Sequence, residues 1–153
     1  MPAGAAVSDD AITSLTNVIA FKALRGSVPE ADWQRYLDHL RQVPMTPENS
    51  NTIWVILNQV RNGSHMDENH VLEVIDTVNE RAPFKAIASA AIGYFILGHT
   101  EQPDRAYPYF AQAANTTTDP IFAAGIAADL RKEGHPDWAR RIEASSPKAV
   151  EGH

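Results

Sequence analysis

Apolar residues recur along this chain at steps of three and four, the spacing of one helix face rather than of a strand. Ile12, Leu15, Val18 and Ile19 mark the first such stretch, predicted over Ala11 to Arg25. Ser8, Asp9 and Asp10 offer oxygens and negative charge at its start, and Gly26 ends it. Ser27 with Glu30 three residues on has the pattern of a capping box. Pro29 lies in the first turn of a second helix that carries Trp33, Leu37 and Leu40 as far as Val43. Thr46 and Pro47 open a third, with Ile53, Ile56, Leu57 and Val60 on one stripe and Gly63 behind it. Asp67 caps a fourth over Glu68 to Arg81, bearing Val71, Leu72, Val74, Ile75 and Val78.

Pro83 separates these from a fifth helix, Phe84 to Leu97, closed by Gly98. A sixth covers Pro103 to Ala114. Pro108 lies well inside it, where it would remove a backbone bond and kink the helix, unless the helix starts nearer Tyr107. The seventh runs from Pro120 to Glu133 before Gly134, and the eighth from Pro136 to Ser145. The predicted class is therefore all-α. Residues 1 to 10 form a flexible leader, 11 to 145 a single helical-repeat domain of about eight helices in stacked hairpins, and 146 to 153 a flexible tail.

Gly26, Gly63, Gly98 and Gly134 are separated by 37, 35 and 36 residues, and each is placed at the end of an odd-numbered helix. A period of that length with two helices per unit is the mark of a helical repeat array, in which stacked neighbours bury what one hairpin cannot. The motif Gly63-Ser64-His65-Met66 matches the remnant of a cloning site. The step across it keeps the repeat phase, which favours a natural sequence there.

Residues 84 to 145 resemble tetratricopeptide repeats. Ala91, Tyr94, Gly98, Ala106, Phe110, Ala113 and Pro120 stand where that family places small, aromatic and turn residues, and Ala127, Leu130, Gly134 and Ala139 repeat the scheme more weakly. The resemblance implies an α-solenoid whose groove holds a protein or peptide, with Tyr94 and Phe110 in the core. The pattern departs from the family at Pro108, at Glu68 and in the longer step from Gly98 to Ala106. Over more of the chain, the order of RNG, DENHVLEVID, AIGYFILG and GHPDWARRIEA is similar to the soluble C-terminal region of bacterial O-antigen polymerase and ligase-like membrane proteins. That likeness implies a periplasmic appendage of a membrane-bound parent and a glycan-handling partner; without it, a cytoplasmic location is expected.

Composition narrows the function further. The net charge of -6 is spread along the chain, leaving no basic face for a phosphate backbone, so nucleic acid is not an expected partner. With no cysteine there is no disulfide framework and no thiolate zinc site. The longest weakly charged stretch, Ala86 to His99, is too short to span a bilayer, and the N-terminus lacks a signal-peptide pattern, so a role outside the cytoplasm implies a piece of a longer protein.

Phosphate-binding glycine loops, zinc-protease motifs and nucleophile elbows are missing from the sequence, and neither a cofactor nor a metal is expected. His65 and His70, five residues apart, would sit about 140° apart around a helix, which suits turn residues better than ligands. His99 and His135 follow helix-ending glycines, where a cation sits well beside exposed carbonyls. Arg131, Lys132, Arg140, Arg141 and Lys148 make the C-terminal end locally basic, with Asp129, Glu133, Asp137 and Glu143 offsetting them. Tyr107 and Tyr109, beside the irregular Pro108, are the candidate binding residues. The reading is a non-catalytic scaffold; a small helical enzyme or ligand-binding domain with a pocket between hairpins is the alternative.

Overall fold

The computed structural model describes residues 9–61 and 67–145. The leader, the tail, Gly63 and its expected helix-ending role, the Gly63–Met66 motif with His65, and Lys148 lie outside the described residues, as does the side chain of Val60. Eight α-helices, one 3-10 turn and no strand occur among the described residues: α1 (Asp9–Arg25), α2 (Glu30–Gln42), α3 (Pro47–Arg61), α4 (Glu68–Arg81), α5 (Ala86–His99), the 3-10 turn (Pro103–Ala106), α6 (Tyr107–Thr116), α7 (Pro120–Lys132) and α8 (Pro136–Ser145). No helix among them is long and apolar enough to cross a membrane. They group into two compact units, one up to Phe84 and one from Lys85.

Side-chain caps fix the starts of α3, α4 and α7. Thr46 Oγ1 accepts from Asn49 N at 3.1 Å, Asp67 Oδ1 from Asn69 N at 2.7 Å and Asp119 Oδ1 from Ile121 N at 2.9 Å, each satisfying a donor that the first turn leaves free. The Ser27–Glu30 capping box does not form. Pro29 occupies the cap without a side-chain bond, and Glu30 is drawn away to Gln34 at 2.7 Å and His70 at 2.9 Å. Pro108 falls in the first turn of α6, where its missing N–H costs nothing, and the 3-10 turn takes up the residues before it. Gly98 lies inside the last turn of α5 rather than beyond it. Gly134 does end α7. Its φ of 87° lets Gly134 N and His135 N turn back to the carbonyls of Arg131 and Leu130, at 3.2 and 2.8 Å.

In the first unit α1 packs on α2 and α3, α2 on α4, and α3 on α4. Its core holds Ile12, Trp33, Leu37, Leu40, Ile53, Leu57, Leu72 and Ile75, all fully buried. Two polar links cross it. Ser50 Oγ reaches the Ala82 carbonyl at 3.0 Å, and Arg81 on α4 donates to the carbonyls of Leu40 and Val43 at the end of α2.

A third link joins α1 to α2. Buried Thr16 donates to the Ile12 carbonyl at 2.8 Å, so in its 2.7 Å contact with Tyr36 the phenol is the donor. Burial pushes the Tyr36 phenol well above its ordinary value of 10.0. The folded state thus favours the neutral phenol, so its contribution is intact below pH 10.0 and is lost as the pH rises beyond it, where the unfolded chain ionises first. Above that pH the native chain should lose up to about 1.4 kcal/mol of stability per pH unit relative to Tyr36→Phe. The variant itself should start about 1 kcal/mol lower at neutral pH, for the lost hydrogen bond. Urea midpoints measured across the alkaline range test both; parallel curves would refute the buried phenol.

In the second unit α5 packs on α6 and the 3-10 turn, α6 on α7 and α8, and α7 on α8. Gly93 sets the closest approach. A Cβ built there would meet Phe110 Cδ1 and Cε1 at 2.9 Å and Cζ at 3.0 Å, so the ring of Phe110 lies directly on the α5 backbone. Ser89 Oγ fixes the same pair of helices by donating to the Tyr109 carbonyl at 2.7 Å. Ala91, expected to be the small packing residue, faces outward instead, because Gly93 takes that role.

Candidate functional site

Of the two tyrosines singled out from the sequence, only one is at the surface. Tyr109 is 4% exposed and belongs to the α6 side of the core, whereas Tyr107 at the start of α6 is half-buried beside α8. The helical period accounts for the difference: two residues along a helix is about 200° around it, so the pair cannot share a face. Tyr94, expected in the core, is 38% exposed. It lays its ring edge-on to Phe110 at 4.9 Å and gives its hydroxyl to Asp129 Oδ2 at 2.6 Å. Burial first, then the adjacent carboxylate, push its phenol well above the usual range, which leaves it a hydrogen-bond donor and a poor base.

Tyr107 is one member of an aromatic group assembled by the α7–α8 junction. The left-handed turn at Gly134 sets His135 immediately before α8, and its ring stacks on Trp138 at 3.9 Å with 16° between the planes. Trp138 in turn lies 5.6 Å from Tyr107, tilted by 54°. Arg141, one turn after Trp138 and on the same face of α8, holds its guanidinium 5.7 Å over the Tyr107 ring. His135, Trp138 and Tyr107 are each half-buried, and Arg141 is exposed.

The charges around this group are not equivalent. Arg131 pairs with both oxygens of Glu143, at 2.7 and 2.5 Å, and holds that carboxyl below its usual value; Arg140 pairs with Asp137. Arg141 has no carboxylate partner among the described residues. Its positive charge is therefore available beside two aromatic rings.

No family model, curated protein or solved structure matches this chain.

Elsewhere, His70 spends its Nε2 on Glu30 and stacks on Trp33 at 4.6 Å. His99 stacks on Phe95 at 6.2 Å. Among the described residues no three His, Asp or Glu side chains come together as a metal site would require. What the α6–α8 face presents is an indole, a phenol, an imidazole and a guanidinium, groups that anchor a ligand by contact and charge. Sequence reasoning picked Tyr107, counted Arg141 only among basic residues offset by nearby acids, and did not single out Trp138. The signal was the Trp138–Arg141 spacing of three on α8, with His135 three residues earlier, just before that helix.

Proposed function

We propose that this chain is a non-catalytic scaffold of tetratricopeptide-like hairpins and that its α6–α8 face holds an acidic, apolar-bearing segment of a partner protein. The observation that carries the reading is Arg141, exposed and without an ion-pair partner among the described residues, over the ring of half-buried Tyr107 next to Trp138. Tryptophan, tyrosine and arginine are the residues in which binding energy concentrates at protein interfaces. A sugar is the less suitable occupant, because stacking needs an open aromatic face. Here His135 covers one face of Trp138 and Arg141 one face of Tyr107, while the rings tilt against each other.

Panning the full chain against a displayed peptide library should enrich sequences in which Asp or Glu stands beside an aromatic or branched apolar residue. Arg141→Glu should weaken the selected peptides about tenfold or more, equivalent to at least about 1.4 kcal/mol. Because Arg141 is exposed, its thermal midpoint should hardly move. Peptides that bind the variant as well as the native chain, or a preference for neutral glycans on an array, would overturn the proposal.

A further inference from the structure

The first unit carries an opening of different chemistry. The Lys22–Asp32 and Thr16–Tyr36 contacts show that α1 and α2 run antiparallel, and between them lies a cleft of about 500 Å3. Its floor is apolar, built from Leu15, Val18 and Ile19 on α1 and the ring of Tyr36 on α2. Val18 remains 49% exposed, beside half-buried Leu15 and buried Ile19.

The two ends differ. At one, Lys22 Nζ lies 2.6 Å from Asp32 Oδ2, and Arg35 bonds the other oxygen of the same carboxylate. Two cations thus share one anion, which leaves one unit of positive charge at the rim of a protein whose net charge is -6. The side chain of Arg35 is 77% exposed, so this charge can be reached from solvent. At the other end the lining includes His39, whose Nε2 is buried without a hydrogen-bond partner among the described residues. From Lys22 to Leu15 is two helical turns, about 10 Å.

We infer that this cleft binds a free single-chain carboxylic acid, with its head on Lys22 and Arg35 and its chain along Val18 and Ile19 toward His39. A monoanion balances the rim charge. A dianion would overshoot it and a cationic head would be repelled, while an apolar chain replaces water over a floor that cannot hydrogen-bond. The length fits a medium-chain acid, and the volume falls in the ordinary range for small-ligand sites.

Decanoate is the probe, titrated into the full chain and followed by amide chemical shifts and calorimetry. Saturable shifts confined to α1 and α2 are expected, with decanol about tenfold weaker because it lacks the charge. Arg35→Glu, on an exposed side chain, should weaken decanoate about tenfold and leave decanol unchanged. Val18→Trp should block both by filling the floor, and Arg141→Glu should alter neither, which separates this site from the α6–α8 face. The proposal is overturned if no saturable shift appears in α1 and α2 at millimolar decanoate, or if decanol binds as well as decanoate. It is equally overturned if Arg35→Glu binds decanoate unchanged, or if a short peptide with an apolar C-terminal residue binds there more tightly than the free acid.

Discussion

Replacing Phe110 with Ala should lower stability by about 3–5 kcal/mol and reverse the sign of a second substitution, Gly93→Ala. Phe110 is fully buried against α5, with Tyr94 edge-on at 4.9 Å and the backbone at Gly93 directly against its ring. In the native background a methyl at position 93 would sit 2.9 Å from two ring carbons of the fully buried Phe110. The overpacking costs about 1–3 kcal/mol, against which the better helix propensity of Ala recovers about 1 kcal/mol. Once the ring is gone, only the propensity gain remains, and Gly93→Ala should stabilise. Urea unfolding of the four proteins in this cycle gives the coupling directly. Additive effects would mean that the ring does not lie on the glycine.

Trp33→Ala should cost the first unit a similar amount, about 3–5 kcal/mol. Trp33 is 1% exposed and sits between two other rings, His70 stacked at 4.6 Å and Tyr36 tilted at 6.2 Å. Removing the indole leaves a void between α2 and α4 and exposes the face of His70, whose other tie is the 2.9 Å contact with exposed Glu30. Trp33→Phe keeps part of the packing and should lose clearly less. Amide exchange in α1–α4 of the two variants measures the difference; a change below about 1 kcal/mol for the alanine variant would remove Trp33 from the core.

Helix positions were legible in the sequence because they are written in local chemistry. Asp67, Thr46, Pro47, Pro120 and Gly134 each act on the nearest turn, and the boundaries they imply for α4 and α8 are the observed ones. Helix faces were less legible, above all in α5. That helix has almost no polar residue between Ala86 and Gly98, so no stripe distinguishes inside from outside, and Ala91 and Tyr94 were assigned inward while Gly93 was passed over. A glycine inside an otherwise strong helix was the available sign of a close approach. The candidate face was half-legible: Tyr107 was singled out, but its neighbours come from α8 and meet it only through tertiary packing. Tyr109 was grouped with Tyr107 by closeness in the chain, although the helix turns them to opposite sides. The apolar cleft between α1 and α2 was not visible at all, since Leu15 and Val18 count as core in any periodicity argument.

The Ser89–Tyr109 hydrogen bond has a kinetic meaning as well. It joins groups 20 residues apart, so the loop it closes is short and the chain entropy surrendered in closing it is small. Contacts of this range let helical proteins fold within microseconds to milliseconds. The pairing of α5 and α6 is thus available early in folding, and the refolding rate of the Phe110→Ala protein would register how early it occurs.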